Sequence, residues 1–146
     1  MSGYTIQATC ELPFDDAVAA VRAELGKAGF GVITEIDLSA TLRQKIGAEI
    51  PAEVILGACN PSFAHRAISA DPSVAALLPC NVVVRSLGDQ ATLVEAFDPG
   101  AMMRLAGGRG DLEGLAAEVG QQLRAALGAV HGDPRAGAAY PRAKRD

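Results

Sequence analysis

One stretch constrains this chain more than any other. Residues 54–84 read V-I-L-G-A-C-N-P-S-F-A-H-R-A-I-S-A-D-P-S-V-A-A-L-L-P-C-N-V-V-V. The runs at its ends, Val54-Ile55-Leu56 and Val82-Val83-Val84, have no polar interruption and suit buried strands. Gly57-Ala58 are small and admit another backbone or a ligand. Asn60-Pro61 is a helix start: Asn is a good N-cap, and Pro at the first helical position gives up no needed hydrogen bond. The helix is expected from about Pro61 to Ala70, ended by Asp71-Pro72, because a residue before proline avoids the helical region. Cys59 then ends one strand and Cys80 opens the next. They share an edge if the strands run antiparallel and lie at opposite edges if parallel. The segment Pro72 to Pro79 is long enough to bring the chain back, which favours the antiparallel case.

Cys59, Asn60, His65, Cys80 and Asn81 are the candidate site residues. Cys59 precedes a helix N-cap, where the dipole favours a thiolate and lowers a thiol pKa. His65 lies more than one turn into the helix, and its side chain can lean back toward Cys59. As a thiol redox enzyme or sensor, the site would use Cys59 as nucleophile, Cys80 as resolving partner and His65 as base. As a metal site, Cys59, His65 and Cys80 offer three ligands for a transition metal or a haem, with no C-x-x-C pair beside them. Each residue also has a structural reading. Free cysteine packs as a small hydrophobe, Asn caps turns, and a helical His is often a surface residue.

The chain has 146 residues, enough for one domain with a sizeable core. Hydrophobic residues make 49% and aromatics 4%, so the core is expected to be Ala, Val, Leu and Ile. No apolar run approaches membrane-spanning length, and the first residues, M-S-G-Y-T-I-Q, lack a signal-peptide pattern. Three cysteines without an export signal point to reduced thiols in a cytoplasm. Net charge is −4. The last segment, 131–146, holds Arg135, Arg142, Lys144 and Arg145 against Asp133 and Asp146. It is expected to be a disordered basic tail on an acidic domain spanning residues 1–130. An acidic body argues against nucleic-acid binding.

Taken in order, Tyr4 to Cys10 alternates like a half-buried strand, with Cys10 structural on the inner face. Phe14, Ala17, Val18, Val21, Leu25 and Ala28 follow helical spacing to Gly29. Its polar face carries both signs of charge, which does not suit a membrane surface. Gly31 to Asp37 is a strand on which Glu35 and Asp37 share a face, either as an acid–base or metal pair or as a solvated surface. A short helix from Ala40 to Ile46 closes at Gly47. Val82 to Ser86 and Ala91 to Phe97 form a hairpin with a Gly-Asp turn. Ala101 to Leu105 is a helical turn whose Met102 and Met103 could be soft-metal ligands or gap-fillers. Gly107-Gly108-Arg109-Gly110 lacks the ending of a phosphate loop and reads as a linker, with Asp111 capping the next helix. That helix carries Leu112, Leu115, Ala116, Val119, Leu123, Leu127 and Val130 at helical spacing. His131 falls near its C-terminus, where a cation is favourable. The order predicts an α+β fold: a mainly antiparallel sheet packed on one face by the two long helices.

G-A-C-N-P at Gly57–Pro61, Ala64-His65, and L-L-P-C-N-V-V-V at Leu77–Val84 resemble the bacterial and archaeal family known as domain of unknown function 302. V-I-T-E-I-D at Val32–Asp37, A-T-L at Ala40–Leu42 and D-P-G-A-M-M at Asp98–Met103 match its flanking segments. The resemblance runs from about Tyr4 to Val130. It implies a TATA-binding-protein-like α+β fold, often a homodimer, and no established reaction. Its motif falls on Cys59, Asn60, Pro61, His65, Pro79, Cys80 and Asn81, with Asp98 and Met102 downstream. Three functions follow as expectations: a small-ligand, metal or haem binding module; a non-catalytic dimeric interaction protein; and a thiol enzyme or sensor.

Overall fold

The computed structural model describes residues 3–105 and 110–130. The elements are β1 (Thr5–Cys10), α1 (Phe14–Lys27), β2 (Gly31–Asp37), α2 (Leu38–Ile46), β3 (Glu53–Cys59), α3 (Pro61–Ala70), a 3₁₀ turn (Pro72–Leu77), β4 (Cys80–Gly88), β5 (Ala91–Phe97), α4 (Pro99–Leu105) and α5 (Gly110–Gly128). The five strands form one sheet in the order β1-β5-β4-β3-β2, and every pairing is antiparallel. This is the α+β arrangement read from the sequence. No helix of the described residues is long and apolar enough to cross a membrane.

Side chains alternate across a strand, so one face of the sheet can be buried while the other is open. Val54, Leu56 and Ala58 of β3 face inward, as do Cys80, Val82 and Val84 of β4 and Val94 and Ala96 of β5. α1 covers this face with Ala17, Val18, Val21 and Leu25, and the C-terminal half of α5 adds Leu123, Ala126 and Leu127. Thr92, buried among them, donates its hydroxyl to the Leu12 carbonyl at 2.7 Å, which meets the demand for a partner in a dry core. Cys10 is buried in the same cluster, as its place on the inner face predicts.

A second, smaller apolar cluster lies beside the first. It joins Ala67 of α3, Val74 of the 3₁₀ turn, Met102 and Met103 of α4, and Leu112, Leu115 and Ala116 of α5. α5 thus serves both clusters, its first half in the smaller and its second half in the sheet core.

Local chemistry sets the element ends. Asn60 caps α3 by accepting from the Phe63 amide, and Gly47 closes α2 in the left-handed region at φ 69°. Glu35 and Asp37 stand closer to the surface alternative than to an acid–base or metal pair: Glu35, exposed, meets Arg22 of α1 at 2.9 Å, while Asp37 caps α2 by accepting from the Ala40 amide at 2.9 Å. Two sequence expectations need correction. The β4–β5 connection turns at Asp89-Gln90, with Gly88 and Ala91 as the last paired residues, rather than at Gly88-Asp89. α5 starts at Gly110, so Asp111 sits in its first turn rather than at its cap. The glycine-rich linker at 107–109 and the tail from His131 fall outside the described residues.

Candidate functional site

The site is built where β3 and β4 end together. Their register places Ala58 opposite Cys80, so the two Cys-Asn dipeptides meet at one edge of the sheet. Gly57 makes this closeness work. A side-chain carbon there would overlap Thr34 of β2 and come within 3.0 Å of the Pro79 ring. Pro79 follows a cis peptide bond from Leu78. The chain leaves β3 through the Asn60 cap and returns through the 3₁₀ turn, whose own start is capped by Asp71.

Against this edge stands α4. Asp98 begins it by accepting from the Gly100 amide at 2.9 Å, and it ties the sheet to the helix by donating its own amide to the Tyr4 carbonyl at 2.9 Å. The helix then turns Met102 and Met103 inward, each 6% exposed. Between these parts lies an apolar pocket enclosing about 70 Å³. Phe63, Ala67, Val74, Met102, Leu115 and Ala116 form much of its wall, and Cys59, Asn60 and Cys80 border it. Among the described residues, Asn60 is the one side chain bordering it that carries an amide. A space of this size takes a short alkyl group or a single small ring, well below a drug-sized site.

Cys80 is buried, and its thiol donates weakly to the Phe97 carbonyl at 3.7 Å. Burial pushes its pKa up to about 12, and the nearby negative charge of Asp98 adds to the rise. Its sulfur is therefore a protonated, apolar group at neutral pH and a poor nucleophile. Burial likewise raises the thiol of Cys10, against a smaller opposing hydrogen bond at Leu12. The cysteines are all free.

The five sequence candidates divide. Cys59, Asn60 and Cys80 border the pocket. His65 does not: it stands on the exposed side of α3, because Phe63 and Ala67, four apart on that helix, take the inner side. Asn81 is exposed and paired with Gly57, and the pleat turns it away from Cys80 to the open face of the sheet. By the same pleat Cys59, one residue beyond Ala58, starts from the face opposite Cys80, although it too lines the pocket. Among the described residues no three His, Cys, Asp or Glu side chains are grouped to hold a metal ion, so Cys59, His65 and Cys80 do not converge as a ligand set.

Sequence reasoning missed the far wall. Phe63, Val74 and the first half of α5 were legible as apolar positions, but not as a shared boundary. Met102 was flagged by its D-P-x-x-M setting, and that setting has a structural basis: Asp98 starts the turn that aims Met102 inward.

The model of the family described as Domain of unknown function DUF302 matches residues 6–130. The fold is similar to the crystal structure of an uncharacterised conserved DUF302 protein from Bacillus stearothermophilus, with a TM-score of 0.81 and 22% identity over 88% of this chain and 99% of that one. No curated protein matches the sequence. A family match over most of the chain, with the Cys-Asn-Pro, Pro-Cys-Asn and Asp-Pro-x-x-Met segments gathered around one pocket, leads to one conclusion: the chain belongs to the DUF302 family.

Proposed function

We propose that this domain is a non-catalytic binding module whose ligand enters the pocket between the β3–β4 edge, α3, α4 and α5. The carrying observation is that a void persists at the junction of the family's separated motif segments, lined almost wholly by apolar side chains. Close packing is the rule in protein interiors, so a void at such a junction supports the reading of a binding site. Asn60 supplies one polar contact at its border, through an amide nitrogen left over after its oxygen caps α3. A protonated, buried Cys80 supports binding over thiol catalysis. The pocket is too small for a haem, and His65 on the outer side of α3 offers no axial ligand to it.

The test is a titration with small apolar probes, benzene and cyclohexane, against wild type and Ala67→Phe. Ala67 lies on the wall and is nearly buried, so the added ring fills the void. Saturable binding at one site in wild type, lost in Ala67→Phe, is the expected result. Equal binding by both proteins would overturn the reading.

A partner of the same sequence is part of this proposal. The open sheet face carries Ile36 at 47% exposure, and Ile33 beside it on edge strand β2 is 64% exposed. Exposed isoleucines on an edge strand support pairing with a second copy. Light scattering of the purified chain should give twice the monomer mass, and Ile33→Lys with Ile36→Lys should halve it. The acidic composition supports no role with nucleic acid, and three unpaired cysteines suit a reducing cytoplasm.

A further inference from the structure

The pocket wall contains more sulfur than its apolar character requires. Cys80, Met102 and Met103 all line it, each at 7% exposure or less. Methionine is a flexible filler that ordinarily removes gaps in a core. Here two adjacent methionines and a cysteine border a gap that none of them fills. Among the described residues no carboxylate or imidazole lines the pocket, which disfavours the oxygen-loving calcium and magnesium ions and leaves zinc only the thiols of Cys59 and Cys80, short of its usual four ligands.

We propose that the pocket takes one copper(I) ion, bound by the sulfurs of Cys80, Met102 and Met103. Thiolate and thioether ligands select soft monovalent copper over harder ions. A cavity of about 70 Å³ has room for one ion. On binding, the Cys80 S–H bond breaks, a copper–sulfur bond forms, and the proton leaves to solvent. The hydrogen bond to the Phe97 carbonyl is given up, and no change of oxidation state occurs. This ligand set differs from the Cys59, His65 and Cys80 set read from the sequence: it drops His65 and Cys59 and adds the two thioethers. It rests on the pocket being a binding site and narrows the class of occupant.

The test is an anaerobic titration of the full chain with copper(I), kept reduced by ascorbate and buffered by a chromogenic copper(I) chelator. The background is Cys59→Ser, which removes the half-buried thiol. One copper per chain should be withdrawn from the chelator. The Met102→Leu, Met103→Leu double variant, close in volume and expected to fold, should weaken binding at least tenfold, and X-ray absorption of the loaded protein should show sulfur neighbours only. Unchanged affinity in the double variant, or nitrogen or oxygen neighbours, would overturn the proposal. So would the absence of copper binding. In that event, retained benzene binding would leave the pocket reading standing, whereas loss of both would remove both.

Discussion

The two apolar clusters of this molecule are built differently. The sheet core is aliphatic and closed: Val54, Leu56, Val82, Val84 and Val94 are all 0% exposed. Its β-branched residues have few rotamers and interlock across neighbouring strands. The smaller cluster relies on methionines, alanines and a half-buried Phe63, and it borders a void. The same helix, α5, lends Leu123 and Leu127 to the first and Leu112 and Leu115 to the second. The difference teaches a division of labour: the sheet core holds the fold, and the cluster beside it surrounds a void.

The largest expected effect tests the first half of that contrast. Leu56→Ala in the sheet core should cost about 3–5 kcal/mol, since a filled site cannot collapse around a lost side chain. Leu115→Ala beside the void should cost less, about 2 kcal/mol, because its neighbours already border open space. Chemical denaturation of both variants checks the order, and equal losses would remove the distinction between the clusters. Gly57→Ala should destabilise by about 1–3 kcal/mol, because its new carbon has to displace Thr34 and Pro79 where the sheet meets the pocket. Asn60→Ala should cost about 1 kcal/mol through loss of the α3 cap, readable as a lower melting temperature.

Smaller effects separate the titrating groups. Cys80 keeps its proton in the folded protein until about pH 12, whereas an unfolded thiol loses it near pH ~8.5. Below the unfolded value its contribution is fully present; as pH rises above it, the unfolded chain binds fewer protons than the folded one, and stability falls. A Cys80→Ala protein should show a shallower alkaline decline. At pH 8, iodoacetamide should reach half-buried Cys59 first, and buried Cys10 and Cys80 only after unfolding, as peptide mass spectrometry would record. Glu95 on the open face behaves oppositely. Hydrogen bonds from Gln7 and Thr5 and the charge of Arg85 outweigh burial and hold its carboxyl below the usual range. Its contribution is present above pH ~4 and is lost as pH falls through the lowered value.

Much of the fold was legible because its signals are local. Alternation marked β1, helical spacing marked α1 and α5, and Asn60-Pro61 marked the start of α3. The shared edge of Cys59 and Cys80 was legible from chain length between them, but not its register. A one-residue offset decides which face each thiol takes, and only pairing sets it. The exposure of His65 was written in the Phe63 and Ala67 spacing, which turns the residue between them outward. The carboxylates Glu35 and Asp37 found partners on α1 and α2 that no strand pattern announces. The pocket itself is a tertiary product of four helical segments and one sheet edge, and no single segment encodes a void.

The most direct test of the binding account is a methyl NMR titration of the folded chain with benzene. Shifts concentrated on Ala67, Val74, Met102 and Leu115, saturating together, with Val54, Val84 and Val94 unmoved, is the predicted result. Shifts spread over both clusters, or none at the pocket methyls, would contradict it.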